Sequence, residues 1–115
     1  MNNNILPRFD AQPLFVCGLR ITEKQRAYIP ALLDATGAPT VSALIRLLIN
    51  SADSHAPFTT GTEPRPYSIS YKLQSEQKRR LEELRSAYNA RTVSDVVCYL
   101  LNQAIAILDA GKDGE

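Results

Sequence analysis

Apolar and polar residues alternate along two short stretches of the chain. In residues 67–73 every second residue is apolar, and Tyr, Ile and Leu occupy those positions. A period of two with β-branched and aromatic residues is typical of a strand that buries one face. Residues 15–21 predict a matching strand, whose inward side is Phe15, Cys17, Leu19 and Ile21 and whose outward side is Val16, Gly18 and Arg20.

Helical spacing replaces this alternation after each stretch. Thr22 with Gln25 predicts a capping box at the start of one helix, and Ser75 followed by Glu76 predicts the start of another. In both helices the inward residues recur at i, i+4, i+7 and i+11, which is the spacing of one helix face. The two stripes are Gln25, Ile29, Leu32 and Thr36, and Gln77, Leu81, Leu84 and Tyr88.

A second helix follows the first in each half of the chain. Gly37 and Asn89 are predicted to end the first helices, because glycine and asparagine best tolerate a left-handed conformation. Thr40 and Thr92 are predicted N-cap residues of the second helices. Each cap precedes a dense apolar run, so the second helices should form most of the core.

The two halves are copies of one segment. Residues 14–52 recur as residues 66–104 with a constant shift of 52, since Thr40 corresponds to Thr92 (92 − 40). Each copy is shorter than the roughly 40 residues that usually fold alone, so each is expected to need the other. The unchanged residues are Gln25, Leu32, Ala35, Ala38, Thr40, Val41, Ser42, Leu48, Asn50 and Ala52, which recur as Gln77, Leu84, Ala87, Ala90, Thr92, Val93, Ser94, Leu100, Asn102 and Ala104.

The predicted organisation follows from this duplication. Three prolines, a glycine and small polar residues lie between the copies and predict an irregular surface linker. Gly111 is predicted to end the last helix. The predicted segments are a flexible N-terminal arm at 1–13, repeat 1 at 14–52, the linker at 53–66, repeat 2 at 67–110 and an acidic tail at 111–115, with the two repeats forming one folded unit.

Composition narrows the functional class. The chain has no run of about 18 apolar residues and its polar start does not resemble a signal peptide, so we expect a cytoplasmic protein with no membrane partner. Cys17 and Cys98 have no CxxC spacing and are expected to be reduced thiols. With His55 as the only histidine and no cluster of acids, we expect no catalytic residues, no metal and no cofactor. The net charge of +1 is uninformative by itself.

The repeated unit resembles the Arc/MetJ-type ribbon-helix-helix family. The stretch Thr40-Val41-Ser42-Ala43-Leu44-Ile45-Arg46 looks like the opening of that family's second helix, which is usually Ser-x-Ser-Glu-Leu-Ile-Arg. The resemblance covers most of the chain, once in each repeat. It implies a mainly α fold with a two-stranded antiparallel β-ribbon, in which two ribbon-helix-helix repeats of one chain form a pseudo-dimer.

The resemblance also implies where double-stranded DNA would bind. The outward residues of the ribbon would read bases in the major groove, and the starts of the second helices would bind phosphates. Arg20 and Lys72 occupy equivalent positions, and each is able to donate to guanine O6 and N7. The implied base-reading residues are Val16, Gly18, Arg20, Ser68, Ser70 and Lys72, and the implied phosphate-binding residues are Thr40, Val41, Ser42, Arg91, Thr92, Val93 and Ser94.

Three functions remain open at the level of sequence. The first is a small transcriptional repressor that recognises a specific operator, with self-association of two chains on adjacent sites as a further expected contact. The second is a relaxosome accessory protein that binds DNA near an origin of transfer. The third is an antitoxin-like module that binds a protein instead of DNA.

Overall fold

Six regular elements follow one another as strand, helix, helix, strand, helix, helix in the computed structural model, which describes residues 14–113. The predicted N-terminal arm and the last two residues of the predicted tail lie outside the described residues. The chain is mainly helical with a two-stranded antiparallel sheet, as the sequence predicts. The elements are β1 (Phe15–Ile21), α1 (Glu23–Thr36), α2 (Val41–Ser51), β2 (Tyr67–Leu73), α3 (Ser75–Ala87) and α4 (Val93–Asp113).

The sheet is a short ribbon with one buried and one exposed side. Its register runs from Phe15 opposite Leu73 to Ile21 opposite Tyr67. The strand positions nearest the helices are buried, whereas every second residue faces outward and is exposed. This confirms the predicted alternation in both strands. Phe15 departs from it, because it lies at the end of β1 and is 38% exposed.

Each strand lies on a helix from the other half of the chain. Under β2, the backbone N–H of Lys72 donates to Ser42 Oγ of α2 at 2.9 Å, and Arg46 Nη1 donates to the Lys72 carbonyl at 2.8 Å. Under β1, the Cys98 thiol of α4 donates to the Arg20 carbonyl at 3.5 Å. The two halves are therefore interleaved and share one core. Its fully buried side chains include Ile21, Leu44, Ile45, Ile49, Leu73, Leu84, Val96 and Leu101.

A buried glutamine joins α1 to α4. Gln25 is 1% exposed, and its Oε1 accepts from the Thr22 backbone N–H at 2.8 Å. Its Nε2 donates to Asn102 Oδ1 at 3.0 Å, so the amide is paired on both sides. The predicted inward stripe of α1 is correct at Gln25 and Leu32 but wrong at Thr36, which is exposed. The Thr36 hydroxyl donates to the Leu32 carbonyl at 2.7 Å and so folds back on its own helix.

The helix ends largely match their predicted positions. Gly37 and Asn89 adopt left-handed conformations with φ of 75° and 54°. Thr40 Oγ1 accepts from the Ala43 N–H, and Thr92 Oγ1 accepts from the Asp95 N–H, each at 3.1 Å. The predicted caps of both second helices are confirmed. The helix α3 begins at Ser75 with Glu76 in its first turn, as predicted.

Gln74 is the N-cap residue of α3, and its backbone N–H donates to Gln77 Oε1 at 3.1 Å. The predicted end of α4 is wrong, since this helix continues past Gly111 to Asp113. One glycine destabilises a helix by only about 1 kcal/mol relative to alanine, so a single glycine need not end it.

The helix α4 is long and apolar enough to cross a membrane by length and composition alone. It passes this test although it contains no unbroken run of 18 apolar residues, because polar residues such as Asp95 and Asn102 are scattered along it. Residues 96–101 of α4 are nevertheless all buried by the rest of the chain. Over the whole apolar window from Val93 to Gly111, 39% is buried inside the protein.

The linker is fixed to the helices along its first half. The Tyr88 hydroxyl donates to the Asp53 carbonyl at 2.6 Å, and the Tyr99 hydroxyl donates to the Pro57 carbonyl at 3.1 Å. Phe58 stacks on Tyr88 with ring centroids 5.2 Å apart and also contacts the Tyr99 ring at 5.1 Å. An aromatic cluster therefore anchors the linker at Phe58.

Two buried weak acids, Tyr71 of β2 and Cys98 of α4, make the free energy of unfolding depend on pH in the alkaline range. Burial raises the pKa of the Tyr71 hydroxyl well above its ordinary value of 10.0, and Cys17 adds to the rise. Burial also raises the pKa of the Cys98 thiol. In the unfolded chain the pKa is about 10 for tyrosine and about 8.5 for cysteine. Below these values each neutral group contributes its full stability, and that contribution is lost as pH rises through the higher pKa of the folded state.

We expect the free energy of unfolding to fall above about pH 9, with a slope of up to about 1.4 kcal/mol per pH unit for each group. Tyr71→Phe removes one of these groups, so its slope between about pH 10 and pH 12 should be shallower than that of the wild type. Urea titrations at a series of pH values measure both slopes. Equal slopes for the two proteins would contradict the assignment to Tyr71.

Candidate nucleic-acid interface

The outward side of the ribbon brings all six predicted base-reading residues together. They form three cross-strand pairs on one face of the sheet, and every one of them is exposed. Val16, a large apolar residue, is 69% exposed on this face. The pairs are Val16 with Lys72, Gly18 with Ser70, and Arg20 with Ser68.

The centre of this face is flat and open. A Cβ atom built on Gly18 would meet no heavy atom within 4 Å, so packing does not require glycine at this position. Glycine in a strand often marks a place where another molecule approaches the backbone closely. Gly18 and Ser70 together leave the middle of the ribbon accessible to such an approach.

The two cationic ends of the face differ. Arg20 is attached to the end of the linker, since its Nε donates to the Arg65 carbonyl at 2.9 Å and its Nη2 to the Pro66 carbonyl at 3.4 Å. The Lys72 side chain is exposed and its ammonium has no hydrogen bond or ion pair with any residue from 14 to 113. Lys72 is therefore free to bind a ligand, whereas Arg20 is partly engaged.

The start of α2 lies beside the Lys72 end of the ribbon. Thr40 caps the helix, and the backbone amides of Val41 and Ser42 belong to the first turn, where N–H groups have no partner within the helix. Ser42 is held in place by its hydrogen bond from the Lys72 backbone. The helix dipole and these amides together favour an anion at this position.

The start of α4 has a different charge. Asp95 occupies the position equivalent to Ala43 (95 − 43 = 52), so this helix start carries a carboxylate that α2 lacks. Arg65 of the linker forms an ion pair with it, with Nη1 3.1 Å from Oδ1. Arg91 is exposed just before the Thr92 cap. The second predicted phosphate site is thus close to the ribbon but electrostatically weaker.

A shallow groove connects this helix start to the ribbon. It is lined by Gly18, Leu19, Arg20, Arg65, Ser68, Ile69 and Ser94. Sequence reasoning identified four of these residues as site residues but missed Arg65. Its only sequence signal is its position between Pro64 and Pro66, immediately before β2. That position fixes a cation at the edge of the outward face.

Other chemistry-bearing residues do not converge. Within residues 14–113 no group of three or more His, Cys, Asp or Glu side chains is placed to hold a metal ion. His55 is exposed in the linker, and Cys17 and Cys98 are free thiols. Two basic residues of α3 pack on the protein itself, since Arg80 donates to the Ala52 carbonyl and Lys78 lies over the Phe15 ring.

Comparison of the chain with protein-family models, curated protein sequences and solved structures gave no match.

Proposed function

We propose that this protein binds double-stranded DNA at specific sequences through the outward face of its ribbon, as a small transcriptional repressor in the cytoplasm. In this proposal the chain is a tandem ribbon-helix-helix protein whose two repeats form a pseudo-dimer. The observation that carries the proposal is the exposed face of three cross-strand pairs, in which basic, hydroxyl and methyl-bearing side chains project from a two-stranded ribbon.

The strand register supports a pseudo-dimer. Gly18 lies opposite Ser70, and Ser70 is the residue of repeat 2 that corresponds to Gly18 in repeat 1 (70 − 18 = 52). Pairing about that point is symmetric. Phe15 lies opposite Leu73, the equivalent of Ile21, and Ile21 lies opposite Tyr67, the equivalent of Phe15. A local twofold axis through the middle of the ribbon would produce this register.

Contacts on either side of that point repeat in the same way. Arg46 and Cys98 occupy equivalent positions (98 − 46 = 52). Arg46 donates to the Lys72 carbonyl, and Cys98 donates to the carbonyl of Arg20, the equivalent of Lys72. The aromatic rings at the starts of the two strands also have matching cations. Arg26 lies 4.4 Å from the Tyr67 ring centroid, and its equivalent Lys78 lies 4.9 Å from the Phe15 centroid.

The dimensions and chemistry of the ribbon suit the major groove. That groove is about 12 Å wide and admits a two-stranded β-ribbon, and it presents a distinct pattern for each base pair. Lys72 would donate to guanine O6 and N7, Ser68 and Ser70 would donate or accept, and Val16 would contact a thymine methyl group. A protein of this kind blocks transcription by occupying an operator.

The two halves of the DNA site would differ in the bases that they require. Lys72 is free and lies beside the α2 start, whereas Arg20 is attached to the linker beside an α4 start that contains Asp95. Specific base contacts would therefore concentrate at the Lys72 half, together with phosphate binding by the Val41 and Ser42 amides. The expected operator is an imperfect palindrome.

Selection of bound fragments from random and host DNA, followed by anisotropy titration, tests this function. We expect one enriched motif, and an affinity that falls steeply as salt rises, because phosphate contacts release counterions. Lys72→Ala should weaken binding to the motif by about 1–3 kcal/mol and relax the preference for one base, whereas Arg20→Ala should have a smaller effect on base preference.

Arg79→Ala is the matched control, because it removes one exposed positive charge from α3 and none from the ribbon. It should leave base preference unchanged. The position of the motif in the genome separates operator occupancy from a role near an origin of transfer. Failure to enrich any motif would reject the proposal.

A further inference from the structure

A polar cavity lies beneath the second half of the linker. It has a volume of about 180 Å³, enough for several water molecules or one small organic molecule. Its roof is the linker segment from Thr59 to Arg65, and its walls are the first turn of α1 and the middle of α4. No strand residue of the ribbon lines it, although Arg65 lines both this cavity and the groove beside the ribbon.

Two side chains of opposite charge line the cavity, and neither forms an ion pair with another described residue. The Lys24 ammonium lies 5.9 Å from the centroid of the Tyr28 ring. Glu63 makes no hydrogen bond or ion pair with any residue between 14 and 113. The other charged residues in the wall, Arg65 and Asp95, already pair with each other.

A neutral donor is fixed in the same wall. Asn102 Oδ1 accepts from Gln25 Nε2 at 3.0 Å, which leaves the Asn102 Nδ2 group to donate elsewhere. Gln25 is almost completely buried and also donates to the Cys98 carbonyl, so this part of the wall is rigid. Ile105 and Ala106 add an apolar surface beside it.

The roof is fixed at both of its ends. Phe58 is anchored in the aromatic cluster, and Arg65 is anchored by its ion pair with Asp95. A molecule under the roof would therefore be partly covered without any rearrangement of the helices. Preorganisation of this kind reduces the entropy lost on binding.

We propose that this cavity binds a small zwitterion of the size and chemistry of an α-amino acid. The carboxylate pairs with Lys24 and accepts from Asn102, the ammonium pairs with Glu63, and a small apolar side chain lies against Ile105 and Ala106. A simple anion would face Glu63 and Asp95, and a simple cation would face Lys24 and Arg65. Only a molecule with both charges matches the wall on both sides.

The test uses the full-length protein without DNA, so its result does not depend on the proposed function. The probes are the twenty L-amino acids, added singly while amide chemical shifts are followed by NMR. We expect saturable shifts from at least one of them in residues 22–25, 59–65 and 98–106. The N-acetyl amide of the same amino acid, which lacks both charges, should not produce these shifts.

Two variants and two controls define the outcome. Lys24→Ala and Glu63→Gln alter exposed side chains and should each weaken binding by at least about tenfold, the effect of losing one charge-assisted hydrogen bond. Arg79→Ala and Glu76→Gln make the same changes of charge on α3 and should leave binding unchanged. The proposal is overturned if no amino acid produces saturable shifts, if the uncharged analogue binds equally, or if both wall variants bind like the wild type.

Discussion

Gly18→Glu is expected to eliminate sequence-specific DNA binding without altering the fold. The new carboxylate would lie at the centre of the outward face, opposite Ser70, where it would meet the negative potential of the groove. Juxtaposed like charges cost several kcal/mol, which corresponds to a loss of affinity of roughly 100-fold or more. Open space around the Gly18 position predicts a change in folding stability within about 0.5 kcal/mol.

Anisotropy titration on the selected motif and thermal denaturation followed by circular dichroism measure these two effects. Gly18→Gln has nearly the same shape without the charge, so it should lose much less affinity. Ala27→Glu adds the same charge on an exposed position of α1 and should bind almost like the wild type. If Gly18→Glu binds as tightly as Gly18→Gln, the ribbon does not face DNA.

Leu44→Ala is expected to destabilise the whole chain by roughly 2–5 kcal/mol, the usual effect of removing a fully buried leucine side chain. Leu44 belongs to α2 in the first half and is 0% exposed. The chain has no tryptophan, and four of its five tyrosines lie in the second half. Tyrosine fluorescence therefore reports how a change in the first half affects the second.

Because the halves share one core, the tyrosine signal and far-ultraviolet circular dichroism should shift together in one urea transition. Ile107→Ala removes an apolar side chain that is 73% exposed on α4, and should change stability by no more than about 0.5 kcal/mol. Separate transitions for the two signals in Leu44→Ala would mean that the halves unfold independently.

The features that could be predicted from the sequence are those with a local cause. The alternation in β1 and β2 depends on neighbouring residues, and the left-handed ends at Gly37 and Asn89 depend on the residue type at one position. The Thr40 and Thr92 caps each depend on one side chain reaching an amide three residues later. Because each of these features depends on residues close together in the sequence, it could be predicted from the sequence alone.

The features that the sequence did not reveal depend on residues far apart in the chain. Arg20 reaches the linker carbonyls across 45 residues, and Arg65 reaches Asp95 across 30. No periodic pattern encodes such contacts, since they arise only after the halves have packed together. They nevertheless determine which cation on the outward face is free. The differing residues of the two strands indicate an asymmetric surface, but they do not indicate that Arg20 is engaged and Lys72 is not.

The interleaving of strands and helices also affects how the chain is made. When residues 14–66 have left the ribosome, β1 still lacks its partner strand, and the apolar side of α2 still lacks α4 and β2. Synthesis of residues 67–113 takes a further period of roughly 2–10 s at rates of about 5–20 residues per second. During this interval an unpaired strand edge and an uncovered apolar helix are exposed together, a combination that favours aggregation. The first half is therefore expected to be more prone to aggregation during synthesis than the completed chain.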